Sequence, residues 1–186
     1  MPFNQTSIPG LLVFEPKILE DSRGYFFEAY NANVFAAEGL AIQFVQDNQS
    51  SSAKNVIRGL HYQLDPHAQS KLVRVLSGAI LDVAVDIRKN SPTFGKVFSI
   101  ELSAENKKQL LIPRGFAHGF SVLSERAEVM YKCDGFYHRE SEAGISFNDP
   151  QLNIDWRIEH GKEIVSEKDL QLPAFKDCRT NFVFEG

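Results

Sequence analysis

The most regular hydrophobic pattern in the chain is "AILDVAVDIR", residues 79–88. It alternates with the two-residue period of a β-strand. Leu81, Val83, Val85 and Ile87 fall on one face, and Ile80, Asp82, Ala84 and Asp86 on the other. "VIRGLHYQ", "KLVRVLSG", "KVFSIEL" and "AEVMYKCDGFY" extend the pattern, separated by the turn clusters "DSRG", "DNQSSS", "LSG", "KNSPTFG" and "SAEN". Many short strands at this spacing predict a sandwich or barrel. Helical pattern is confined to about residues 31–38, capped by Asn31 or Asn33 and ended by Gly39. A turn begun by Ser166 in "SEKDLQLPAF" is stopped by Pro173. The expected class is all-β with short peripheral helices.

Composition narrows the function more than the fold. The chain has 186 residues, enough for one domain with appendages, and a 43% hydrophobic content that suits a packed core. A net charge of −4 speaks against binding a nucleic-acid backbone but leaves room for a small anion held by local Arg and Lys. Cys133 and Cys178 have no pairing or metal-ligand spacing and read as free thiols of a reducing compartment. The N-terminus lacks the charged and apolar regions of a secretory signal, and no apolar run reaches membrane-spanning length. A cytoplasmic protein with no membrane partner is the expectation.

Candidate chemistry begins in "VIRGLHYQ". Arg58 and His61 stand among Val56, Ile57, Leu60 and Tyr62, where a strand that only packs a core has no use for them. Strict alternation sends the two to opposite faces. Gly59 between them is a natural site for a bulge that would turn both into one cleft. Downstream, "LIPRGFAHGF" places Pro113 and Gly115 in a tight turn before His118. This P-x-G-x-x-H pattern resembles the second signature of the cupin jelly rolls, and "GLHYQ…K…G", from Gly59 to Gly78, lies where their first signature belongs. Metal-binding cupins draw three His and a Glu from these segments. Here Gln63 replaces the second His, and Lys71 stands near the acid's place. An ammonium beside a divalent cation is electrostatically wrong, so neither a metal nor a cofactor is expected. His61, His118, Lys71, Arg58 and Tyr131 without a metal form a kit for removing a proton next to a carbonyl.

Taken in order, "RGLHYQ", "DVAVDIR", "IPRGFAHGF", "LSERAEVMYKCDGFY", "FNDP" and "SEKD" make the chain similar to the dTDP-4-dehydrorhamnose 3,5-epimerases over nearly its whole length. The resemblance implies a single cupin-like epimerase domain over residues 1–186, with an extension over about 150–186. It implies inversion of C3 and C5 of dTDP-4-dehydro-6-deoxy-D-glucose in dTDP-L-rhamnose biosynthesis. His61 matches the family's base, Asp169 the carboxylate that orients it, and Tyr131 the proton donor across the sugar ring. Lys71 and His118 match residues that line the sugar and stabilise the enolate.

For the nucleotide, Arg58 and Arg23 are candidates for the diphosphate, with Lys168 as a third cation. Glu28, Gln46 and Asn48 match positions near the thymidine, Phe26 could cover the base, and Glu142 matches another ligand-side position. The resemblance also implies a homodimer. Strands from about residues 11–30 would join the partner's sheet, with Arg23 and Glu28 as candidates to serve the neighbour's site. The alternatives are a single-carbon epimerase of a related sugar nucleotide and a cupin that binds a ligand without turning it over.

Overall fold

The fold is described from a computed structural model, for residues 2–185. Thirteen strands follow in chain order: β1 (Phe3–Gln5), β2 (Leu12–Phe14), β3 (Leu19–Asp21), β4 (Gly24–Phe26), β5 (Gln46–Ala53), β6 (Ile57–Gln63), β7 (Lys71–Ser77), β8 (Ala79–Asp86), β9 (Val97–Ser103), β10 (Gln109–Ile112), β11 (Phe116–Val122), β12 (Arg126–Cys133) and β13 (Glu142–Gly144). Two short helices, α1 (Ala32–Ala37) and α2 (Glu167–Leu170), are peripheral. Asn31 caps α1 by accepting the Asn33 amide, and Ser166 caps α2 by accepting that of Asp169. The all-β expectation holds, as do both capping residues.

Antiparallel pairing builds a six-stranded sheet, β1-β2-β10-β7-β12-β5, and a five-stranded sheet, β13-β6-β11-β8-β9. This is the cupin-like jelly roll. Between the sheets lies a core of alternate inward residues, including Val73 and Val75 of β7, Ile80 and Ala84 of β8, Phe120 and Val122 of β11 and Val129 of β12. The other face of β8, with Leu81, Val83 and Val85, and Ile87 just after it are covered by Leu152, Trp156, Phe175 and Phe182 of the C-terminal segment. On the six-stranded sheet, Phe35 of α1 packs on Leu12, Phe14, Leu72 and Leu111. Apolar residues on both faces of β8 are thus explained by burial on both sides.

"DNQSSS" is not a turn. It forms most of β5, paired along its whole length with β12. Its composition misleads because its inward residues Gln46, Asn48, Ser50 and Ser52 face a polar cleft instead of the apolar core. β3 and β4 pair only with each other, leaving Leu19, Tyr25 and Phe26 more than half exposed. Of the stretch 11–30, β2 is already built into the protomer's own sheet, so only this hairpin stands apart. Among the described residues no helix is long and apolar enough to cross a membrane.

Candidate active site

The shape of the cleft depends on a bulge in β6. His118 of β11 lies opposite His61, yet Phe120 lies opposite Arg58, so two steps along β11 face three along β6. Gly59 takes up the extra residue with φ of +122°, which favours glycine. A Cβ there would lie 2.6 Å from the Gly119 Cα and 2.7 Å from the His118 carbonyl oxygen. The bulge resets the phase, and Arg58 and His61 line one cleft of about 530 Å³, as the alternation argument required. Lys71, His118 and Tyr131 share that cleft because each occupies an inward position of its strand. Ser166, Lys168 and Asp169 close it from the α2 segment, which the Ile57 amide holds by donating to the Ile164 carbonyl.

His61 Nε2 lies 2.8 Å from Asp169 Oδ1, and the other carboxylate oxygen accepts the Gly59 amide at 3.1 Å. The Asp169 side chain is 5% exposed and that of His61 33%, so the pair is anchored inside and open outward. Burial alone would raise the Asp169 carboxyl. The His61 hydrogen bond and charge, the Gly59 amide and Ser166 outweigh it and hold the carboxyl below its usual value. With Nε2 turned to this carboxylate, Nδ1 is the imidazole nitrogen free to take a proton. Tyr131 is buried enough to push its phenol above the ordinary value, against the lowering effect of Arg58. Burial pulls the Lys71 ammonium below the ordinary lysine value, offset in part by the charges of Asp82 and Glu142. Its Nζ lies 5.8 Å from the centre of the Tyr131 ring.

A second cavity of about 390 Å³ shares His61, Lys71 and Tyr131 with the first and adds Gln46, Asn48, Tyr137 and Glu142. Glu142 accepts Lys168 Nζ at 2.6 Å on one oxygen and the Tyr137 hydroxyl at 2.9 Å on the other. Those two hydrogen bonds outweigh burial and hold its carboxyl below the usual value. Lys168, expected as a cation for the diphosphate, is therefore paired with Glu142. Arg58 donates Nε to Ser52 Oγ at 3.0 Å, and among the described residues its terminal nitrogens have no protein partner.

The sequence profile of the dTDP-4-dehydrorhamnose 3,5-epimerase family matches residues 5–177. The chain belongs to this family. It is 53% identical over 175 residues to the dTDP-4-dehydrorhamnose 3,5-epimerase of Shigella flexneri, covering 94% of this chain and 96% of that one. The crystal structure of the epimerase from Elizabethkingia anophelis superposes with a TM-score of 0.90 at 54% identity, over 94% of this chain and 96% of that one. That of Legionella pneumophila dTDP-6-deoxy-D-glucose-3,5-epimerase, in complex with dTDP-4-keto-L-rhamnose, gives 0.88 at 49% identity, over 92% and 91%. The protein is thus an isomerase of the dTDP-sugar epimerase type.

Against this epimerase frame, the structure brings together His61, Asp169, Tyr131, Lys71, His118, Arg58 and Lys168 in one cavity and Gln46, Asn48 and Glu142 in its neighbour. It does not bring Arg23, Phe26 or Glu28 there within one protomer. Arg23 is clamped by Asp21 in the exposed hairpin, with the shortest contact 2.6 Å. Phe26 and Glu28 line an apolar groove of about 550 Å³ beneath it, with Phe14, Leu19 and Val34.

Asp82 is the residue that sequence reasoning passed over. Fully buried, it holds His118 Nε2 at 2.8 Å, while its second oxygen has no hydrogen-bond partner. The signal was available, since a lone acid between Ile80 and Ala84 on an inward face needs a partner. Among the described residues no three His, Cys, Asp or Glu side chains converge as a metal set.

Proposed function

We propose that this protein epimerises dTDP-4-dehydro-6-deoxy-D-glucose at C3 and C5 to dTDP-4-dehydro-L-rhamnose, without a cofactor. The observation that carries the reading is the His61–Asp169 pair in one cleft with Lys71 and Tyr131. Both reacting carbons flank the C4 ketone, so their protons are acidified by it. His61 Nδ1 takes the proton, and the C–H electron pair moves into the ring to give an enolate. Lys71 and His118 stabilise the negative charge on the C4 oxygen. Tyr131, whose raised phenol stays protonated at neutral pH, delivers a proton to the opposite face of the carbon. The phenolate and the imidazolium then exchange protons with water, and the enzyme returns to its starting state.

In this reading the 530 Å³ cleft takes the sugar and its diphosphate, and the 390 Å³ cavity the rest of the nucleotide. The free guanidinium nitrogens of Arg58 suit a diphosphate oxygen. The active unit is a homodimer. β5 is an edge strand with a partner on one side only, and it carries Gln46 and Asn48. A partner's β3–β4 hairpin added to that edge would cover its own exposed aromatics and bring Arg23, Phe26 and Glu28 beside the nucleotide cavity.

Incubation with the 4-keto-6-deoxy sugar nucleotide in D₂O, followed by NMR, tests the chemistry. Deuterium at C3 and C5 with inverted product is expected. Exchange at one carbon identifies a single-carbon epimerase, and exchange at neither beyond the buffer rate identifies a binding protein. A sedimenting monomer at micromolar concentration would overturn the dimer.

A further inference from the structure

Two histidines outside the reaction kit lie face to face. The rings of His67 and His138 have centroids 3.7 Å apart and planes inclined by 10°. His67 belongs to the loop after β6 and His138 to the loop between β12 and β13. Gln63 ties these loops together. Its Nε2 donates to the His67 carbonyl at 2.7 Å and the Phe136 carbonyl at 3.3 Å, and its Oε1 accepts the His138 amide at 2.6 Å. The residue before His138 is Tyr137, whose hydroxyl donates to Glu142 and which lines the second cavity.

We infer that the stacked His67–His138 pair is a positioning device for the Tyr137 rim of the nucleotide cavity, working while at most one ring is charged. The inference rests on the reading that this cavity takes the nucleotide. Two parallel imidazoles in contact cannot both carry a proton without repelling each other. Even at the dielectric constant of water, unit charges at that separation shift an equilibrium by about sevenfold.

The surrounding charges do little to relieve this repulsion. Asp65 lies on the loop of His67, and Arg139 and Glu140 follow His138. Asp134 is paired with Arg114. Glu142 is engaged by Lys168 and Tyr137, and Arg179 of the C-terminal segment reaches the Glu142 carbonyl. Among the described residues, no carboxylate lies within ion-pair distance of either ring, and His138 Nδ1 faces only Ser141 Oγ, at 3.1 Å. A charge on both rings therefore loosens the loop, and with it the cavity wall.

The test compares wild type with His67→Phe, which keeps a stacked ring that cannot charge. dTDP affinity is measured by calorimetry at pH 7.5 and 5.5, and exchange of the His138 amide is followed by NMR at the same values. Protonation of the terminal phosphate weakens both proteins alike, so the readout is the ratio between them. Wild type is expected to lose about sevenfold more affinity than the variant on acidification. Its His138 amide should lose protection, corrected for intrinsic exchange, while that of the variant keeps it. Equal affinity ratios with equal protection overturn the inference. Loss of protection in wild type alone, with equal affinity ratios, upholds the stack and overturns the nucleotide placement. His138→Phe carries the same expectations should His67→Phe fail to fold.

Discussion

Asp169→Asn is the sharpest perturbation of the proposed mechanism, because it changes one atom and almost no volume. In the wild type, Asp169 Oδ1 faces His61 Nε2 at 2.8 Å and Oδ2 accepts the Gly59 amide at 3.1 Å. An asparagine has one oxygen and one NH₂ for these two sites. The Gly59 amide can only donate, so it takes the oxygen. The NH₂ must then point at His61 Nε2 and donate to it. That forces the ring proton onto Nδ1, the nitrogen that has to accept the substrate proton. The variant binds substrate in an intact cleft with its base in the wrong tautomer. Loss of one general base is worth about 10²–10⁴-fold, and a minor tautomer recovers part of it, so turnover should fall by about 10²–10³-fold. This corresponds to about 3–4 kcal/mol of lost transition-state stabilisation. The assay is deuterium incorporation at C3 and C5 under saturating substrate, with KM from initial rates. KM should stay within about threefold of wild type, as the lost interaction develops only in the transition state. Turnover above a third of wild type would refute the tautomer argument.

The same substitution carries a stability prediction of fixed sign. The Asp169 carboxyl is held below its usual value, so its charged interactions stabilise the fold above the ordinary carboxylate range. They are lost as pH falls through its lowered folded-state value. Urea unfolding should show wild type more stable than Asp169→Asn at pH 7, with the gap closing on acidification. A gap that widens toward acid would contradict the lowered carboxyl.

Tyr131→Phe should leave proton abstraction largely intact and block inversion, so that deuterium enters C5 with retained configuration; normal inversion at both carbons would move the donor to Tyr137 or water. Arg58→Ala should raise KM more than it lowers turnover, with a smaller effect at high salt, checked by initial rates at two ionic strengths. The alkaline limb of turnover should belong to Lys71, because burial lowers its ammonium while it raises the Tyr131 phenol. Turnover is lost as pH rises through the Lys71 value, and Lys71→Arg should move that limb upward in the pH–rate profile. Gly59→Ala should cost about 2–4 kcal/mol in urea unfolding, since a Cβ at positive φ is driven into the β11 backbone.

Sequence pattern and structure agree where one physical rule governs a segment. β8 is legible because its alternation meets an apolar surface on each side. The caps of α1 and α2 are legible because Asn31 and Ser166 act on amides two and three residues away. β5 is illegible for the opposite reason, since its inward face lines a polar cleft and its composition imitates a loop. The family motifs brought His61, Tyr131 and Asp169 into view one by one. That Asp169 reaches a histidine 108 positions away is a tertiary fact beyond any periodicity. The position of Arg23, Phe26 and Glu28 away from the cleft within one protomer is likewise invisible in a linear pattern.

Gln63 marks where this chain differs from the metal-binding cupins. It shares a face of β6 with His61, two residues on, where metal-binding cupins place their second histidine. Its amide is instead engaged with the backbones of the two loops that frame the 390 Å³ cavity. Lys71, near the acid's position, puts a cation where a metal-binding cupin would bring an anion to its ion. Gln63 ties the loops that wall the cavity, and Lys71 supplies positive charge inside it. Gln63→His should therefore not create a metal site: it would remove three loop hydrogen bonds while leaving the Lys71 ammonium in place to repel the ion.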